Sequence, residues 1–269
     1  MNEKNLDYLA KQIKFTGFGE GHGEELKEKI QQQTPEFTIA HQQDFGKDSA
    51  MATLLFRKSE DSDMYFFNRY NLVVKNEHQV EPVKQTFYIS NREDNITLKE
   101  AYNLVNGRAV NKELSNKEGE KYNAWVQLDF KTIDKNGNYE MKKFHQNYGF
   151  DLDKALVKHP IRELMSEPDK ERLIDSLQRG NRQAVTIQHE GREQKVFIEA
   201  APQFKSINFY DGNMKRMNVQ SLYENKGEGQ TEKQESKKES VKQDKGGDDE
   251  GEAPKQVQKR TRKKSQGIA

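Results

Sequence analysis

The sequence predicts an α+β fold: N-terminal helices plus antiparallel strands, then two α-β-β-β units, then a disordered C-terminal tail. Three observations carry this. Apolar spacing switches from helical to alternating after Pro35, a pattern of helix end, strand, glycine turn and strand occurs twice, and no aromatic residue follows Tyr223.

The N-terminal segment "NLDYLAKQI" spaces Leu6, Leu9, Ala10 and Ile13 as one helical face, and "EELKEKI" does the same with Leu26 and Ile30. Between them, "FTGFGEGHG" places glycines at 17, 19, 21 and 23. A dinucleotide loop needs glycine at relative positions one, three and six, after a strand. From Gly17 the sixth place is His22, and from Gly19 it is Glu24. Glu20, Glu24 and Glu25 would also repel phosphate. The stretch therefore reads as a turn joining two helices, or as a contact loop.

Alternation then marks "EFTIAH", "AMATLLFRK", "MYFFNRYNLVVK" and "QTFYIS" as strands. Thr97 and Glu100 form a capping box for "ITLKEAYNLV", with Gly107 as its C-cap. In "YNAWVQLDFK", Tyr122, Ala124, Val126, Leu128 and Phe130 share one face, and Asn123, Trp125, Gln127 and Asp129 share the other. Asn136-Gly137 suits a hairpin turn. Helix follows in "DLDKALVKH", capped by Asp151, and again in "EPDKERLIDSLQRG". A second hairpin surrounds Gly191, and "FKSINFY" is a further strand. Gly119 and Gly191 are 72 residues apart, and the same offset lays Trp125-Val126-Gln127 on Phe197-Ile198-Glu199. The expected divisions are 1–90 for the N-terminal α+β part, 91–165 and 166–222 for the two α-β-β-β units, and 223–269 for the tail.

Charge and composition narrow the function. With 33% charged residues and a mean hydropathy of −1.13, part of the chain is too polar to fold on an apolar core. The 45 basic residues divide into 33 before Glu224 and 12 from it onward, and the 44 acidic ones into 34 and 10. The body thus carries −1 and the tail +2, so a nucleic-acid surface on the body must be a local patch. There is no cysteine, which excludes disulfides, thiolate metal sites and a cysteine nucleophile. The six histidines show no His-x-x-x-His spacing, and "DKNGN" has His145 where a calcium loop needs glutamate. No cofactor or metal is expected. No apolar run is long enough to span a membrane, and the charged N-terminus is unlike a signal peptide, so a cytoplasmic location is expected.

Two sets of binding residues stand out. Trp125, the single tryptophan, sits with Asn123 and Gln127 on the polar side of its strand, where it would stack on a base or anchor a protein partner. The opposite reading is a strand covered on both faces, with Trp125 in the core. In the tail, Lys259, Arg260, Arg262, Lys263 and Lys264 place five positive charges within six residues. They suit phosphate contacts or a solubilising, self-associating tail.

The stretches "KFTGFGEG", "DMYFFNRY", "ITLKEAYNLVNGRAVNKEL", "YNAWVQLDF", "NYGFDLDKAL" and "KHPIREL" resemble uncharacterised proteins of Bacteroidetes conjugative and other mobile elements, over about residues 5 to 217. Gly107, Val110, Gly119, Tyr122, Ala124, Val126 and Gln127 are similar to a repeated module of unknown function in them. Some of those proteins also carry DNA-processing domains, and no catalytic residue is established for the module. The resemblance implies a bacterial mobile-element setting. The expected function is a non-enzymatic accessory protein that binds nucleic acid or a DNA-processing protein partner. The alternatives are a protein–protein interaction module with a solubilising tail, or an enzyme whose site the fold assembles from dispersed histidines and carboxylates. The sequence is silent on oligomeric state.

Overall fold

The computed structural model describes residues 2–76, 81–91 and 94–223. Helix α1 (Glu3–Ile13) starts where the Asn2 side chain accepts a hydrogen bond from the Asn5 amide, and it buries Leu9 and Ile13. A single π-helical turn (Lys14–Phe18) extends it, and α2 (Gly23–Gln31) buries Leu26 and Ile30. The four glycines thus form a helix-to-helix connection, as their spacing predicts.

Four strands follow as an antiparallel meander: β1 (Glu36–Phe45), β2 (Asp48–Lys58), β3 (Tyr65–Lys75) and β4 (Val83–Tyr88), in that order across the sheet. One face buries Phe37, Ile39, Leu54, Phe56, Phe67 and Leu72. Phe37 stacks on Phe56 and Phe56 on Phe67, each pair 4.9 Å between centroids. The helices cover this face. Asn5, itself buried, bonds both the amide and the carbonyl of Tyr65 and fixes α1 to the start of β3. The other face is solvated, which accounts for the strict alternation in the sequence.

Two helix-and-meander units come next. In the first, α3 (Leu98–Val105) begins with the expected capping box of Thr97 and Glu100, with both bonds present. It is followed by β5 (Val110–Ser115), β6 (Lys121–Ile133) and β7 (Tyr139–His145), paired in the order β5-β6-β7. A short helix α4 (Leu152–Leu156), capped by the Asp151 side chain, leads into the second unit. There α5 (Glu167–Gln178) precedes β8 (Gln183–His189), β9 (Arg192–Ala201), β10 (Ser206–Tyr210) and the two-residue β11 (Arg216–Met217). Their sheet runs β11-β10-β9-β8.

The apolar residues gather in two cores. Val110, Val126 and Leu128 join the first core, with the N-terminal helices and sheet. Trp125 and Phe144 join the second, with α4, α5 and strands β8 to β10. The middle of β6 is therefore covered on both faces: of the two readings of this strand, the one with Trp125 in the core holds, and Trp125 as an exposed binding residue is corrected. At the far end of the strand, past Leu128, Phe130 and Ile133 are exposed. No helix among the described residues is long and apolar enough to cross a membrane.

Candidate functional site

The glycine connection is the starting point. The Thr16 hydroxyl donates to the carbonyls of Gln12 and Ile13, at 2.7 and 3.0 Å, inside the widened π-turn. Gly17 closes that turn at φ +91°, and a Cβ there would stand 3.4 Å from the Leu98 amide nitrogen. The contact itself would be an ordinary one, so it is the positive φ that favours glycine there. The turn becomes a ridge with a cleft on each side. Phe15 and Thr16 line one cleft, Gly17 lines the other, and Thr97 borders both.

The first cleft, about 620 Å³, runs between α1 and the segment before α3. Tyr8, Lys11, Gln12, Phe15, Asn91 and Asn95 line it. Phe15 is 74% exposed and Tyr8 45%, so two aromatic rings present surface to solvent beside a lysine. The second cleft, about 630 Å³, is lined by Phe45, Lys99, Glu100, Arg179 and Asn181 among others. Arg179 is placed by Asn103, which is fully buried and donates to the Arg179 carbonyl at 2.7 Å and to Asn181 Oδ1 at 3.0 Å. That pair of bonds locks α3 to the end of α5.

Charge across the two clefts is one-sided. Lys11, Lys99, Lys112 and Arg179 line them, against the single carboxylate of Glu100. Glu100 is spent on Lys112, 2.8 Å away, and on the Thr97 amide. Lys11, Lys99 and Arg179 have no carboxylate within 4 Å among the described residues. Lys99 lies 4.4 Å from the Phe45 centroid and 5.0 Å from that of Tyr102, and Arg108 lies 5.1 Å from the same Tyr102 ring. Burial, and then the neighbouring Arg108, hold the Lys99 ammonium below its ordinary pKa. Burial likewise lowers Arg108. A patch of this kind is what a neutral body needs in order to hold a polyanion.

The residues singled out in the sequence are placed differently. Trp125 is 6% exposed, with its ring edge-on to Phe150 at 5.3 Å, so it offers no face for base stacking. Asn123 is exposed and exchanges two hydrogen bonds with Asn111 on β5, at 2.7 and 2.8 Å. Gln127 donates from Nε2 to the Gly107 carbonyl at 2.7 Å, completing the C-terminal end of α3. Three alternating neighbours on one strand thus serve as surface, core and cap, and they do not form one binding face. Lys259, Arg260, Arg262, Lys263 and Lys264 lie outside the described residues.

Sequence reasoning passed over Lys99 and Arg179, which the packing of α3 against the end of α5 brings to one cleft, and Arg108, which shares the Tyr102 ring with Lys99. It also passed over His22 and His41, whose ring nitrogens are 2.9 Å apart at the start of α2 and on β1. Burial, and then His22, lower the pKa of His41. Comparison of the chain with protein-family models, curated proteins and solved structures finds no match.

Proposed function

We propose that the protein is a non-enzymatic accessory protein that binds a single nucleic-acid strand along the two clefts that meet at Thr97. The observation that carries this reading is the run of cations without carboxylate partners, Lys11, Lys99 and Arg179, beside the exposed rings of Phe15 and Tyr8. Cations that track phosphates and aromatic faces that receive bases are the two components of sequence-tolerant strand binding. The resemblance to mobile-element proteins supports a cytoplasmic setting beside a DNA-processing partner, and that setting is part of the proposal.

The test is fluorescence anisotropy of a labelled single strand with the full chain. Phe15→Ala combined with Lys11→Gln is expected to weaken binding about tenfold or more, since stacking contributes ~1–3 kcal/mol per base. Replacing the five basic residues at 259–264 with glutamine is expected to leave most of the binding in place. The reverse pattern would move the site from the clefts to the tail.

A protein partner is the second reading. The solvated face of the N-terminal sheet favours it, where Met51, Phe66 and Tyr88 are 58%, 38% and 62% exposed. Binding held by that face would change little with salt.

A further inference from the structure

We propose that the second cleft is a subsite for a phosphate monoester, the phosphorylated end of the strand, rather than for an internal phosphodiester. This rests on the strand-binding reading above and names the chemistry of one part of that site.

The inference follows from a count of charge and from how the charges are held. Lys99, in the first turn of α3, and Arg179, at the end of α5, line the second cleft, and Arg108, on the segment after α3, lies against the Tyr102 ring that Lys99 also touches. That ring is stacked 4.2 Å from Phe45. The Lys99 and Arg108 side chains thus lie along aromatic surface. The neighbouring carboxylates are largely taken. Glu100 is paired with Lys112, and Glu199 with Arg182 at 3.1 Å. Asp48 accepts the Tyr102 hydroxyl at 2.7 Å and offsets one charge. Two positive charges remain in excess.

A phosphodiester carries one negative charge and would leave the group half compensated. A monoester carries about −1.5 to −2 near neutral pH and would neutralise it. Thr97 borders both clefts, so a terminal base on the Phe15 side would place its phosphate across the ridge, against Lys99 and Arg179.

The experiment compares three otherwise identical labelled single strands on the full chain: 5′-phosphorylated, 3′-phosphorylated and unphosphorylated. One phosphorylated end is expected to bind about tenfold more tightly than the unphosphorylated strand, and which end it is identifies the source of the monoester. Lys99→Gln is expected to abolish that preference and to weaken the unphosphorylated strand only by the loss of one phosphate contact, and Lys99→Arg is expected to keep both. Equal binding of all three strands would overturn the monoester subsite and leave strand binding intact. If no strand binds, the strand reading falls, and inorganic phosphate decides the subsite alone. A rise in melting temperature for the wild type and Lys99→Arg, but not Lys99→Gln, would uphold it. The absence of any rise would overturn it.

Discussion

In the first helix-and-meander unit, Gln127 of β6 reaches back to the Gly107 carbonyl at the end of its own helix. In the second, Glu199 of β9, 72 positions later, reaches back to Arg182, two residues beyond the helix-end Gly180. The position and direction are the same, but the chemistry is different. An amide needs one acceptor and no counter-charge. A carboxylate whose side chain is 8% exposed needs a cation and several donors, and Glu199 collects Arg182, Asn208 and the Tyr210 hydroxyl. Arg182 in turn lies 3.8 Å from the Tyr210 centroid. The first unit consequently tolerates apolar cover on both faces of its central strand, whereas the second commits a strand position to a charged network. That network also keeps the carboxylate of Glu199 engaged away from the cationic cleft.

Substitutions can break or sharpen this contrast. Trp125→Ala should have the largest effect, about 3–5 kcal/mol in a urea melt, because the ring fills the second core between β6 and Phe150. A loss below about 1 kcal/mol would show that the two cores do not share β6. Glu199→Ala should cost about 3 kcal/mol, the low end for breaking a buried pair, since the Arg182 side chain is 24% exposed. Gln127→Ala should cost only about 1 kcal/mol. If the two losses are equal, the amide and carboxylate positions do the same job and the contrast fails.

The helix-end glycines extend the comparison. Gly107 and Gly180 have φ of +77° and +79°, so alanine at either should cost about 1–2 kcal/mol in backbone strain. At Gly180 the new Cβ would also meet the Ala109 carbonyl oxygen at 2.9 Å, whereas at Gly107 its nearest neighbour is a Phe130 ring atom at 3.6 Å. Gly180→Ala should therefore be the more damaging of the two by thermal melt. The contrast also has a pH dependence. Burial, and then the Glu199 carboxylate, push Tyr210 up to about 12, from about 10 in the unfolded chain. A raised acid pKa means that the fold favours the protonated phenol. The stability this supplies is complete below pH 10 and is lost between about pH 10 and 12. Tyr210→Phe should flatten that part of the stability profile.

Much of the fold is legible in the sequence because it is locally encoded. Alternation set the four N-terminal strands, the capping box set the start of α3, and Asn136-Gly137 set a turn in which Gly137 takes φ +81°. What the sequence left open between two readings needed tertiary information. The alternation in β6 shows which residues share a face but not what covers each face, and α4 and α5 turn the side bearing Trp125 into core. The candidate site was illegible for the same reason. Lys11, Lys99 and Arg179 are scattered along the chain, and no spacing rule links them. Only the docking of Asn103 on the end of α5, and the packing of the Gly17 turn on the start of α3, bring them to one ridge.

The central claim is that the clefts around Thr97 hold a strand by its phosphates. Its most direct test is the salt dependence of single-strand binding by the full chain and by the Lys11→Gln, Lys99→Gln, Arg179→Gln triple variant. Each phosphate contact contributes about 0.7 to the slope of log affinity against log salt for a single strand, so the triple variant should lose about 2 from the wild-type slope. An unchanged slope, with both proteins binding equally, would show that these three residues touch no phosphate and would contradict the account.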